Sequence, residues 1–145
     1  MQDTSGVHVW LVLAKAFRAL GAHAEESLNL SQTGLGDSDF RVLEALLHKG
    51  QLPVNTIGPK VWLTPGSISV AVDRLEKKAL VKRKNTDDRR VRLVELTAKG
   101  RALITKISRE HAAAMEEAAG ILSQEERLML LGLLKKLGKG GDDES

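Results

Sequence analysis

The sequence predicts a mainly helical single domain, about six helices with one small β-hairpin, and three observations carry that prediction. Apolar residues recur at three- and four-residue spacing along most of the 145 residues. Capping and stop residues punctuate that periodicity, and between Leu80 and Leu96 it gives way to a strand-like run. Composition agrees, since 42% hydrophobic and 28% charged residues suit one domain able to bury a core. The chain has no cysteine, which removes disulfides, thiolate metal sites, cysteine nucleophiles and thiol switches and agrees with a reducing compartment. No signal-peptide pattern opens it, and no apolar run approaches the roughly 20 residues that span a bilayer, so a cytoplasmic chain with no membrane partner is expected.

In order, a first helix is expected over 7–28, with Val7, Trp10, Leu11, Ala14, Phe17, Gly21, Ala24 and Leu28 on one side. A polar link, Asn29 to Gly36, follows, and Asp37 or Gly36 caps a short helix whose Phe40, Leu43, Leu46 and Leu47 face inward before Gly50 closes it. Gln51 to Pro53 read as a brief extended link. A helix from Val54 to Trp62 comes next, but Gly58 and Pro59 fall inside it, so its regular part is expected to begin as late as Thr56. Only Leu63 then separates it from Thr64, the cap of the following helix. Two helices so closely joined make a helix-turn-helix.

That second helix is the best marked in the chain. The Thr64 hydroxyl can cap it, Pro65 sits where its missing N–H is no loss, and helix-compatible residues run to Lys78. Ile68, Val72, Leu75 and Ala79 form an apolar stripe, which leaves Ser67, Ser69, Val70, Arg74 and Lys77 for the outside. A face that is slim at its start and basic at its end suits DNA reading, because small side chains approach base edges while long cations reach phosphates. Beyond it, Leu80 and Val81 and then Val91, Leu93, Val94 and Leu96 read as two strands around a polar tip, Asn85 to Arg90. A basic hairpin behind a groove helix is a wing, and its Lys82, Arg89 and Arg90 can reach sugar-phosphate or a minor groove. Asp88 is placed to orient Arg90 through a charge-assisted pair. Nine of the Lys and Arg residues but only four of the Asp and Glu lie between Asp73 and Arg92, a local excess of +5 against −2 for the other 125 residues. Such concentration points to a polyanion-binding patch.

The run LTPGSISVAVDRLEKKALVKR followed by DDRRVRLVELTAKGRAL resembles the winged helix-turn-helix proteins of the multiple-antibiotic-resistance regulator (MarR) family of bacteria. Asp88-x-Arg90 and Leu96-Thr97-x-x-Gly100 match its wing signature, and DFRVLEALLHKG from Asp39 matches the helix before the reading unit. The resemblance is close from Leu35 to Leu103. It implies a homodimer that binds a palindromic double-stranded DNA operator, represses transcription and is released by a small ligand. It gives Arg90 the minor-groove role. Ala79 stands where the family usually has glycine, and Pro59 interrupts the preceding helix.

Two more helices complete the chain. Thr97 caps one that runs to about Gly120, with Leu103, Ile104, Ile107, Ala114, Met115 and Ala118 on one side. Ser123 and Glu126 fit a capping box before Leu128, Leu131, Leu134 and Leu137. The resulting organisation is one domain over 1–145, a DNA-binding region at 35–100, dimerisation helices at 7–28 and 101–138, and a disordered tail at 139–145.

Enzyme readings find no support: His8, His23, His48 and His111 lie on different segments, and no glycine-rich phosphate loop or Ser nucleophile motif is present. No cofactor and no metal site is expected. A phenolic or other aromatic effector could lodge between the first, second and fifth helices, where Trp10, Phe17 and His111 are expected. The competing reading from another class is a winged-helix module whose basic face answers an acidic protein, and the placement of charge argues against it.

Overall fold

The computed structural model describes residues 1–30 and 32–138, so the expected disordered tail lies outside the described residues. In chain order they form α1 (Gly6–Leu30), α2 (Asp37–Lys49), β1 (Leu52–Pro53), α3 (Val54–Lys60), α4 (Pro65–Lys77), β2 (Val81–Asn85), β3 (Arg92–Leu96), α5 (Ala98–Ala119) and α6 (Gln124–Leu137). Six helices thus surround one antiparallel sheet of order β1-β3-β2. Among the described residues, no helix is long and apolar enough to cross a membrane.

The hydrophobic core lies where α2 crosses α4. Val42, Leu43 and Leu46 of α2 meet Ile68, Ala71, Val72 and Leu75 of α4, and Ile57, Leu80, Val81, Val94, Ile104 and Ile107 close the cluster from α3, the sheet and the first half of α5. The link at Gln51–Pro53 does more than connect: Leu52 pairs with Val94 and Pro53 with Leu93, making a third strand at the sheet edge, where proline is tolerated. The hairpin registers Val81 against Leu96, Arg83 against Val94 and Asn85 against Arg92.

Two local expectations are corrected. Helix α3 starts at Val54, as the helical reading had it and before the Thr56 that the proline allowed, and it ends at Lys60, two residues short of the expected Trp62. Pro59 sits in its last turn, where only the carbonyl of exposed Asn55 loses a partner, and the chain then folds back through a 2.9 Å bond from the Leu63 N–H to the Gly58 carbonyl. Ala79 is exposed rather than part of the inner stripe, because α4 stops at Lys77 and Ala71 takes the buried place. Ala79 adopts φ 60°, and the N–H groups of Ala79 and Leu80 bond the carbonyls of Glu76 and Leu75 at 2.9 and 3.0 Å, a left-handed exit with two back-bonds.

That exit is clamped by α5. The Thr97 hydroxyl lies 2.6 Å from the Ala79 carbonyl while accepting from the Gly100 N–H at 3.0 Å, and the Thr97 N–H bonds the Leu80 carbonyl at 3.0 Å. A Cβ on Gly100 would stand 1.9 Å from the Leu80 carbonyl oxygen, so only glycine lets the two segments approach.

Helices α1 and α6 behave differently from the rest. Ser27 and Leu28 near the end of α1 are buried, and α1 packs against α5, but its earlier residues Val7, Trp10, Leu11 and Phe17 are exposed. Helix α6 buries none of its residues. The expected Ser123/Glu126 capping box opens it, and those hydrogen bonds, first of all the one from the Ser123 backbone, hold the Glu126 carboxyl below its ordinary pKa. A 2.7 Å pair between Arg127 and Glu116 ties α6 back to α5.

Candidate nucleic-acid interface

The Thr64 side chain accepts from the Ser67 N–H at 3.1 Å and its hydroxyl donates to Ser67 Oγ at 2.9 Å, which fixes the first turn of α4. With Ile68, Ala71, Val72 and Leu75 committed to the core, the helix turns Ser67, Ser69, Val70, Asp73, Arg74 and Lys77 outward. Val70, just after Ser67 and Ser69, is 54% exposed, an apolar contact of the size that a thymine methyl accepts.

The cations do not all remain available. Arg74 reaches back across α4 to Asp39 of α2 at 2.8 Å, and that carboxylate, only 5% exposed, also accepts from the Gly36 N–H at 3.4 Å. Arg74 therefore fixes the angle between the two core helices, a task the helical pattern did not reveal because its partner lies 35 residues away. Lys77 carries no ion pair among the described residues. Lys82 pairs with Glu95 at 3.3 Å across the hairpin yet stays largely exposed.

Arg83 is a residue the sequence reading missed. It bonds Asp73 at 2.6 Å and Glu76 at 2.7 Å, and its own N–H reaches Glu76 at 3.3 Å, so the wing is bolted to α4. Burial works against its charge, but the hydrogen bond to Asp73 and the charge of Glu76 outweigh it and raise its pKa further. Strand alternation, which puts Arg83 on the same side as buried Val81, was the available signal.

At the wing tip the Thr86 hydroxyl lies 2.7 and 2.8 Å from the carbonyls of Asp88 and Val91, and the Val91 N–H bonds the Asp88 carbonyl at 2.9 Å. Asp88 accepts from the Arg90 backbone N–H at 3.0 Å. It positions Arg90 through the main chain, and no ion pair joins it to the Arg90 guanidinium among the described residues. Arg89 and Arg90 are exposed. Between this tip and α3–α4 lies a cleft of about 420 Å³ bordered by Pro59, Ile68, Ser69 and Arg89 to Arg92.

The three aromatic candidates for an effector pocket are not brought together. His111 on α5 packs against Phe40 of α2 with ring centroids 4.8 Å apart, whereas Trp10 and Phe17 are exposed on the outer part of α1, which meets α5 only through its later turns. The larger cavity, about 860 Å³, lies between α1 and α5 and is bordered by His23, Glu26, Ser27, Glu110 and Glu117. No cluster of three or more His, Asp or Glu residues suited to a metal occurs among the described residues.

A short helix, a tight turn, a capped helix with an open polar face and a basic hairpin bolted behind it make a winged helix-turn-helix, a DNA-binding fold of transcription regulators. The chain belongs to the MarR family, whose model matches residues 35–91. It is 40% identical over 131 residues to the HTH-type transcriptional regulator MhqR of Bacillus subtilis strain 168, covering 90% of this chain and 89% of that one. The HTH-type transcriptional repressor MdtR of the same strain is 28% identical, covering 94% and 87%. Among solved structures, NadR in complex with 4-hydroxyphenylacetate superposes with a TM-score of 0.72 at 28% identity, covering 96% of this chain and 97% of that one. MhqR and MdtR are transcription regulators, and the chain, a member of the same non-enzyme family, is not an enzyme.

Proposed function

We propose that the chain acts in the cytoplasm as a homodimeric repressor that sets two copies of α4 into successive major grooves of a palindromic operator. The observation that carries this reading is the selective sparing of charge: Arg83 is consumed and Arg74 half-committed in holding the fold, while Lys77, Arg89 and Arg90 stand exposed beside the open face of α4. In this reading residues 35–100 bind DNA. Thr64, Lys77, Lys82 and Arg89 meet phosphates, Ser67, Ser69 and Val70 meet base edges, and Arg90 enters the minor groove. Arg74, paired with Asp39, sets the height of the reading helix and adds a phosphate contact from its exposed part. Residues 7–28 and 101–138 form the dimer, since the outward apolar residues of α1 and α6 supply two faces that a second copy would cover. The repressor sense is supported by the likeness to MdtR. Release by a small aromatic acid is supported by the likeness to NadR, whose structure holds 4-hydroxyphenylacetate, and the α1–α5 cavity has the volume for such a ligand.

Binding to a random duplex, measured against salt, tests the DNA reading. Release of counterions from several phosphates gives a steep loss of affinity with rising salt. A flat dependence, with capture of an acidic protein instead, would favour a protein-binding winged helix.

A further inference from the structure

We infer that Trp62 is a sequence-independent DNA contact at the edge of each half-site, its indole laid against the sugar-phosphate backbone. The inference rests on the DNA-reading role proposed above. Trp62 lies in the turn between α3 and α4, two residues before the Thr64 cap, and is 83% exposed. Its φ is +57°, a left-handed conformation that glycine adopts freely and a bulky aromatic adopts at a cost. The turn is held from both sides. The Arg41 guanidinium donates to the Val61 carbonyl, and the Leu63 N–H bonds the Gly58 carbonyl at 2.9 Å. Val61 is buried and Leu63 half-buried, so the strain at Trp62 is the means by which its two neighbours face inward while the indole faces out.

For folding alone, glycine would serve this position better on two counts, since it would relieve the backbone and remove a large exposed apolar surface. What the indole adds is a flat apolar body with one N–H donor at its rim, which matches a deoxyribose with its phosphate oxygen. The site is continuous with the reading surface: Lys60 is exposed on one side of it, and Thr64 and Ser67 on the other. A neutral backbone contact there strengthens binding to every sequence alike.

The test uses the full chain labelled with 5-fluorotryptophan, in which Trp62→Phe assigns the two fluorine resonances, and a fluorescein-labelled random duplex at low salt. The Trp62 resonance is expected to move on adding duplex. Trp62→Gly is expected to melt at a higher temperature yet bind duplex about tenfold more weakly. Its slope of log affinity against log salt should match the parent's, whereas Lys77→Ala loses about one charge from that slope. If the parent binds duplex but the Trp62 resonance stays in place, or Trp62→Gly binds as the parent does, the inference is wrong and the DNA reading survives. If the parent binds no duplex at low salt, both fail. Because the resonance is read on the unmutated protein, it decides the matter whatever the stability of the variants.

Discussion

Arg90 is presented by its backbone rather than by its charge. The Asp88 carboxylate and the Thr86 hydroxyl shape the turn beneath it, and its guanidinium is left without an ion pair among the described residues. A narrow, A·T-rich minor groove has the negative potential that such a group seeks. Arg90→Ala should therefore leave the melting temperature nearly unchanged while it lowers operator affinity and flattens the preference for flanking A·T pairs. Asp88→Ala should do less harm, since it loosens the turn but also removes a negative charge near phosphate. A marked fall in melting temperature for Arg90→Ala, with flank preference kept, would make the tip a brace. The two backbone specialists behind the wing give opposite expectations. Ala79→Gly relaxes a left-handed residue and should raise stability by about 0.5–1 kcal/mol, whereas Gly100→Ala drives a Cβ into the Leu80 carbonyl and should cost about 3 kcal/mol. Denaturant midpoints at constant slope read both changes.

At the scale of elements, the proposed complex has α4 divide its work along its length and around its axis. Lys77→Ala should weaken binding nearly equally on all sequences, while substitutions at Ser67 or Val70 should redistribute base preference by about 1–3 kcal/mol at the contacted pair. Arg74→Ala differs from Lys77→Ala because it strands the buried Asp39 carboxylate, so a loss of about 1–3 kcal/mol of stability should accompany its loss of affinity. Unfolding curves separate the two, and an unchanged melting temperature for Arg74→Ala would show that the pair with Asp39 contributes little. The sequence made α2, α4, α5 and α6 legible because each has caps and a sustained apolar stripe. It hid β1, a two-residue strand with no alternation to detect, and it carried the end of α3 two residues too far, to Trp62, past the last turn in which Pro59 sits. The partners of Arg74 and Arg83 were hidden for another reason. Residue types and spacing mark a cation as outward-facing, but only the folded packing brings Asp39 to one and Asp73 with Glu76 to the other.

For the whole molecule, the winged helix-turn-helix was the legible half, because its signals are local and contiguous. The effector pocket was not, since Trp10 and Phe17 share helical spacing on α1 but lie away from His111 on α5, and the α1–α5 cavity is bordered largely by small and acidic residues that no motif marks. The proposed dimer follows from what the single chain leaves uncovered: Trp10, Leu11 and Phe17 on α1, and Leu128, Leu131, Leu133 and Leu137 on α6. Charged substitution of Leu131 and Leu134 should yield a monomer by sedimentation while α2–α4 remain folded, and a parent that is monomeric at micromolar concentration would remove the basis for a two-helix reader. Selection of bound sites from a random oligonucleotide pool tests the central claim most directly. A dimer with one α4 in each of two grooves predicts an enriched inverted repeat whose half-site centres lie roughly 34–36 Å apart on one face of the duplex. Enrichment of a lone, asymmetric half-site, or of no sequence at all, would contradict it.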